Sequence, residues 1–272
     1  MADEQVVLLD EDDGIFTITL NRPEKRNAMN PAMHYAVHAI MNDLRYNETC
    51  RVLIITGAGD TFCSGQDLKA YFHLLEGQTM KEARERAREI SNQWRGPMLR
   101  LFPAPTIAMI SGYCIGGAFS IVTSCDIAIA ADDAKFGLSE INFKTAPLGL
   151  VSKDISEKMP ARQAMYYALM GEPFNGKRAE EIGLVTKAVP KADLWTEVRR
   201  IAEALREKDP QALRSAKETF KTNLRMDYEE AYSYSMAKGN EMTLLQGGAW
   251  VEKGIGDFMA GKYRPGLGSP KP

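Results

Sequence analysis

Paired cysteines, a basic surplus, long apolar runs and clustered histidines are all missing from this chain of 272 residues. Cys50, Cys63, Cys114 and Cys125 show no CxxC spacing, which argues against a zinc ribbon or a stapled secreted scaffold; the thiols read as small hydrophobes in a reducing compartment. No apolar stretch approaches the length of a membrane span and the N-terminus lacks a basic-plus-apolar leader, so a cytoplasmic protein without a membrane partner is expected. A formal net charge of -2 provides no overall field for nucleic acid, and any anionic ligand must be held by local groups. His34 and His38 have a spacing that zinc accepts, but no His-Glu motif accompanies them, and one face of a helix is the simpler reading; no metal is expected. Gly57-Ala-Gly59 follows a strand, yet Phe62 stands where a dinucleotide fingerprint needs its third glycine.

What is present is enough apolar material, 44% of residues, for one sizeable core or a core with a smaller appendage. Val6–Asp10 and Ile15–Leu20 read as strands around Glu11-Asp-Asp-Gly14, a hairpin. Asn30 before Pro31 opens a helix whose apolar positions are Ala36, Val37, Ile40, Met41 and Leu44. Short strands at Val52–Thr56, Thr106–Ile110 and Asp126–Ala130 alternate with helical segments, which indicates an α/β fold with parallel pairing; no exact repeat is visible. Gly171 to Pro190 reads as a turn, a short helix at Ala179–Ile182 and an edge strand at Leu184–Val189. From Ala192 strand signals stop. Leu194, Val198, Ile201, Ala202 and Leu205 form a helical stripe and Pro210 opens another helix, so a core over 1–191 and a helical appendage over 192–272 are expected. Met236, Met242 and Met259 read as core filling.

The richest segment is Ile110-Ser-Gly-Tyr-Cys-Ile-Gly-Gly-Ala-Phe-Ser120. It follows a strand, passes through a turn over Gly112–Gly117 and enters a helix at Ala118. Paired glycines there either let a ligand approach the backbone or make room for tight helix–strand packing. The free N–H groups of a first helical turn carry partial positive charge, which is what a developing oxyanion needs.

Four blocks carry a resemblance: Asn21-Arg-Pro-Glu-Lys-Arg-Asn-Ala-Met29; Leu53–Asp60 with Phe62-Cys-Ser-Gly-Gln-Asp-Leu-Lys69; Gly112–Asp126; and Phe136-Gly-Leu-Ser-Glu140. In order and spacing they resemble the crotonase, or enoyl-CoA hydratase/isomerase, superfamily over nearly the whole chain. Asp67-Leu-Lys-Ala-Tyr-Phe72, Pro105–Met109, Phe136–Asn142 and Leu150-Val-Ser-Lys153 are most similar to its hydroxycinnamoyl-CoA hydratase-lyase branch. The resemblance implies a crotonase-like spiral of repeated ββα units with a C-terminal helical trimerisation region, assembled as a homotrimer or a dimer of trimers. It implies a coenzyme A thioester as substrate and no permanently bound cofactor.

By the same resemblance the N–H groups of Gln66 and Gly117 form an oxyanion hole, and Glu140 moves protons, although glutamate more commonly sits in a surface ion pair. Ser120 stands where simple hydratases carry a second glutamate; it either positions water and the acid or bonds to its own helix backbone. Tyr71 matches a tyrosine that contacts the substrate phenol. A second such residue is sought among Tyr232, Tyr234 and Met236, with Tyr234 taken as the candidate. Phe143, Leu148 and Gly149 are expected to shape the acyl pocket, while Lys25, Arg26, Asp67, Leu68, Phe258 and Lys262 are assigned to coenzyme A. The branch reads Glu-Ile-Asn-Trp-Gly where this chain has Glu140-Ile-Asn-Phe-Lys144, so Lys144 either alters the pocket or projects into solvent. The implied reaction is hydration of an aromatic enoyl-CoA and retro-aldol cleavage to an aldehyde and acetyl-CoA. The alternatives are a hydratase, isomerase or hydrolase on another, alicyclic or aliphatic, acyl-CoA, and a catalytically silent homologue that binds coenzyme A or RNA.

Overall fold

The computed structural model describes residues 5–73 and 78–262, with backbone only at 71–73 and 78–81. Strands β1 (Val7–Asp12) and β2 (Ile15–Leu20) form an antiparallel hairpin. Asp13 and Gly14 turn it at φ values of 50° and 78°, the left-handed pair that a tight hairpin matched to strand twist requires. Along the chain there follow β3 (Val52–Gly57), β4 (Thr106–Ile110), β5 (Tyr113–Ile115), β6 (Ile127–Ala131), β7 (Lys135–Gly137), β8 (Phe174–Asn175) and β9 (Lys187–Val189). They sort into a larger sheet ordered β1-β2-β3-β4-β6-β9 and a smaller one ordered β5-β7-β8. From β2 onward the larger sheet is parallel. Val52–Ile55 of β3 and Ile107 of β4 are fully buried, as the continuous apolar runs of covered parallel strands demand.

The chain alternates between the sheets. β4 feeds β5, and β6 feeds β7; Cys63, just after β3, bridges to Cys114 of β5, its N–H donating to the Tyr113 carbonyl at 2.8 Å. Each turn adds one rung to each sheet and then a helical segment, which is the expected ββα spiral. Successive turns touch through bare backbone. A β-carbon on Gly112 (φ 56°) would lie 2.0 Å from the Asp60 carbonyl oxygen, and one on Gly176 2.0 Å from that of Ala131, so only glycine fits.

Two strand readings change. The segment Gly112–Gly117 is not all turn: it contains β5, whose three residues are too few to show a period and whose pairing comes from Cys63 and from β7. The expected strand at Leu184–Val189 shrinks to Lys187–Val189, because the N–H groups of Leu184 and Val185 both turn back to the Ala179 carbonyl.

Helix α1 (Pro31–Leu44) begins as expected, with Asn30 Oδ1 accepting from Met33 N at 2.9 Å. Its fully buried face runs through Met33, His34, Val37, Met41 and Leu44, leaving Ala36 and Ile40 partly buried beside it. Next come α2 (Leu68–His73), α3 (Gln78–Gln93), α4 (Phe119–Ser124), α5 (Leu150–Lys158), α6 (Ala161–Met170), α7 (Gly176–Glu181) and α8 (Leu194–Arg206). Between α3 and β4 the helix widens into a π-type turn at Trp94–Met98, where Pro97 cannot donate to the ladder and Gly96 leaves helical geometry.

The first compact unit runs to Glu207, past the expected division after residue 191. The reason is α8, which buries Leu194, Val198 and Ala202 and packs on β4 and β6. The second unit, from Lys208, contains α9 (Pro210–Asn223), α10 (Tyr228–Leu245) and α11 (Gly256–Met259) and no strand among the described residues. Asp209 and Asp227 cap α9 and α10 through Ala212 N (2.8 Å) and Glu230 N (2.9 Å), and Lys238 pairs with Glu218 across them at 2.6 Å. Among the described residues no helix is long and apolar enough to cross a membrane.

Candidate active site

Three consecutive turns of the spiral deliver Gln66, Gly117 and Glu140 to one cavity of about 560 Å³. Gln66 follows the bridge that the first sequence block makes with the 63–67 turn. Met29 N donates to Gly65 O at 2.8 Å and Asp67 N to Met29 O at 2.9 Å, a parallel pattern that turns the N–H of Gln66 away from Met29. Gly117 lies in the 3-10 turn Gly116–Ala118 that leads into α4, where N–H groups have no partner within the helix. The two turns are adjacent: a β-carbon on Gly117 would meet Gln66 Cγ and Nε2 at 3.6 Å, and one on Gly116 (φ 54°) would meet Glu140 Oε1 at 2.9 Å. The paired glycines thus admit both neighbours, and the packing and ligand-approach readings describe the same space.

Glu140 is held by the short turn Ser139–Phe143 just after β7. Its Oε2 is buried without a hydrogen-bond partner. Burial pushes its pKa above the ordinary 4.5, opposed only by its own backbone N–H, because a carboxylate loses solvation at the cavity wall.

Ser120 is fully buried in the first turn of α4, behind the cavity wall. Its Oγ makes no bond to its helix backbone; it is Thr123 that donates to the Phe119 carbonyl, at 2.9 Å. The carboxyl that faces it is Asp154 of α5, also buried. Burial raises the Asp154 pKa, while the hydroxyls of Ser120 and Thr123 and the charge of Arg100 draw it down and Glu157 pushes it up. Asp154 escaped the sequence reading because the string Leu150–Lys153 stops one residue short of it. A carboxylate on the buried Val151, Asp154, Ile155 stripe of α5 was the available signal.

Sequence reasoning also missed a buried polar ring beside the cavity. Trp94 Nε1 donates to His34 Nδ1 at 3.0 Å, which leaves His34 Nε2 to carry the proton. Burial drives the His34 pKa down to about 3, helped by the charge of Arg95 and resisted by Gln66, so the ring is neutral and this tautomer is fixed. Nε2–H then donates to Gln66 Oε1 at 2.9 Å, and Gln66 Nε2 to Ser91 Oγ at 3.2 Å. The reversed Gln66 amide would bond equally well to Ser91 and Arg95 but would need a second lone pair on the His34 ring, and Trp94 already uses the one available. Among the described residues there is no grouping of His, Cys, Asp and Glu able to hold a metal ion.

Of the remaining expected residues, Leu148, Gly149 and Leu68 line the cavity. Phe143 is 65% exposed and off its wall. Lys144 is exposed at φ 60°, closing the Ser139–Phe143 turn in the left-handed conformation that glycine favours; it projects into solvent. The Tyr71 side chain lies outside the described residues. Tyr234, with Phe258 and Lys262, belongs to the second unit; Phe258 is exposed and Lys262 Nζ lies 3.6 Å from Asp257. Lys25 and Arg26 are exposed beside Ser64, whose N–H donates to Arg26 O at 2.9 Å. Asp67 is engaged internally: Oδ2 accepts from Arg22 Nη1 at 2.9 Å and Oδ1 from Ala70 N at 3.0 Å, which outweighs burial and lowers its pKa. The first block is fastened by Asn27, fully buried, whose amide donates to the Ala58 and Thr61 carbonyls and accepts from Arg22 N.

A two-sheet ββα spiral that brings two glycine-bearing turns and a half-buried glutamate to one cavity defines a protein of the crotonase class. The enoyl-CoA hydratase/isomerase family model matches residues 10–258, and the chain belongs to that family. It is 39% identical to the hydroxycinnamoyl-CoA hydratase-lyase of Pseudomonas fluorescens over 97% of this chain and 95% of that one. It is 33% identical to a mevalonyl-coenzyme A hydratase of Aspergillus fumigatus over 74% and 72%. The crystal structure of an enoyl-CoA hydratase from Mycobacterium smegmatis superposes with a TM-score of 0.86 at 25% identity, covering 95% of this chain and 97% of that one.

Proposed function

We propose that the protein hydrates the double bond of an aromatic enoyl-CoA of the coumaroyl or feruloyl type and cleaves the product to an aromatic aldehyde and acetyl-CoA. The observation that carries this reading is the meeting of Gln66, Gly117 and Glu140 at one cavity, with the likeness to the hydratase-lyase in support. Glu140 as carboxylate takes a proton from water while the oxygen adds to Cβ, and the electrons move onto the thioester oxygen, held by the N–H groups of Gln66 and Gly117. Protonated Glu140 returns its proton to Cα, giving the β-hydroxyacyl thioester. In the second half Glu140 takes the β-hydroxyl proton, the Cα–Cβ bond breaks, the aldehyde leaves, and the enolate of acetyl-CoA recovers the proton at carbon. Each half uses the same hole, whose individual donors are typically worth about a hundredfold to a thousandfold in rate. Lys25 and Arg26 suit the phosphates of coenzyme A, which acts as part of the substrate, and three or six copies of this chain form the assembly.

Incubation with 4-coumaroyl-CoA, feruloyl-CoA and crotonyl-CoA tests this. Aldehyde and acetyl-CoA are expected together from the aromatic thioesters, with turnover rising with pH through the elevated Glu140 pKa. Hydration without cleavage favours the second reading, a hydratase of another acyl-CoA. Arg88 and Asn92, which line the cavity together with Leu148 and Val151, are compatible with a more oxygenated acyl group.

A further inference from the structure

Arg95 is buried to 5% exposure on the cavity wall, and the reaction outlined above gives it no task. It lies in the wide turn that Pro97 opens after α3. Its Nη1 donates to the Gly117 carbonyl at 2.6 Å, and its Nε and Nη2 to Ser91 Oγ at 3.2 and 2.9 Å. Nη2 also reaches Asn92 Oδ1 at 3.4 Å, and Nε the Ser91 carbonyl at 3.2 Å. Ser91 Oγ is the atom that accepts from Gln66. Hydrogen bonds therefore run from Trp94 through His34, Gln66 and Ser91 to Arg95, Trp94's neighbour, and the guanidinium hands the ring on to Gly117.

The two residues joined are the two whose N–H groups face the thioester oxygen in the proposed reaction. They come from different turns of the spiral, and ordinary sheet pairing does not fix their separation to the tolerance that an oxyanion requires. A planar guanidinium with donors on several edges can brace a carbonyl and a hydroxyl at once, which an ammonium cannot. Packing alone would be better served by an apolar side chain, since a buried cation must be compensated in full. The charge also acts at a distance: it adds to the lowering of the His34 pKa by burial, and it opposes the burial that raises the Cys63 thiol to about 12.

We propose that Arg95 is a positioning residue of the oxyanion site, fixing the peptide plane after Gly117, tying it through Ser91 to Gln66, and keeping a permanent positive charge beside the thioester oxygen. This rests on the enolate reading of the cavity. The test compares Arg95→Met, Arg95→Lys and the gentler Ser91→Ala with the parent and with Glu140→Gln, using whichever of feruloyl-CoA and crotonyl-CoA is turned over. Arg95→Met is expected to lower kcat by roughly tenfold to a hundredfold, a fraction of what losing a donor outright does, with KM changed by less than about threefold. Arg95→Lys and Ser91→Ala should fall between. In the Glu140→Gln background, bound feruloyl-CoA should show a red-shifted absorbance from its polarised carbonyl, and adding Arg95→Met should reduce that shift. Unchanged kcat per folded site together with an unchanged shift overturns the proposal while Glu140→Gln remains inactive. Near-normal turnover by Glu140→Gln removes the enolate reading itself, and the role of Arg95 with it.

Discussion

Glu140 and Asp154 are both carboxyls lifted by burial, and they differ in what they face. Glu140 looks into a cavity that a substrate can fill; Asp154 looks at the hydroxyls of Ser120 and Thr123 behind the wall, with Arg100 and Glu157 nearby. Because the folded pKa of Asp154 is raised above its ordinary 3.8, its contribution to stability is fully present below that value and is lost as pH rises through the folded pKa. Asp154→Asn should therefore gain in melting temperature relative to the parent as pH rises from about 3 to 7.5, by on the order of a few degrees. A constant difference across that range would mean that Asp154 does not titrate. At this scale Glu140 and Gly117 could be singled out because each sits inside a local motif, Phe136–Glu140 and Gly112–Asp126, that resembles a known family's. Arg95, His34 and Asp154 were not, since their partners lie on other elements and no local spacing links Arg95 to Gly117.

Elements were read well where a period or a cap defines them, and poorly where pairing does. α1 and α9 start at the residues that cap them, whereas β5 exists only because Cys63 and Phe136 lie on either side of Cys114. The turns between elements carry the harder constraints. Gly112→Ala combines a left-handed φ with a β-carbon 2.0 Å from a carbonyl oxygen, and should cost at least about 2 kcal/mol in denaturant unfolding. Gly59→Ala, also at positive φ but with its nearest neighbour at 3.6 Å, should cost nearer to about 1 kcal/mol. Equal losses would show that backbone conformation, not contact between turns, governs both positions.

For the molecule as a whole, the second unit presents apolar side chains outward. No side chain of α10 is buried, and Tyr228, Tyr232, Met236, Leu244 and Leu245 are all more than half exposed; on α6 of the first unit Met165 and Leu169 are too. Apolar surface of that extent calls for a partner surface, in keeping with the proposed assembly of identical chains. Light scattering on the purified protein should give three or six times the chain mass of 30.2 kDa, and Met236→Glu should shift it toward smaller species. A parent protein that stays monomeric at micromolar concentration would remove that assembly. The helical character of this region was plain from sequence; its boundary was not, because the stripe of α8 looks the same whether it faces a sheet or another helix.

The carbonyls of Asp60 and Ala131 rest directly on Gly112 and Gly176, with no side chain between one turn and the next. The pitch of the spiral is therefore a property of peptide groups, which every sequence shares, and not of the residues that drift. Side chains around the cavity can be exchanged to suit a new acyl group without acting as shims that pry the turns apart. The coarse pitch is in this sense machined into the frame, the fine setting between Gln66 and Gly117 is left to Arg95 and Ser91, and substrate preference is free to diverge around both.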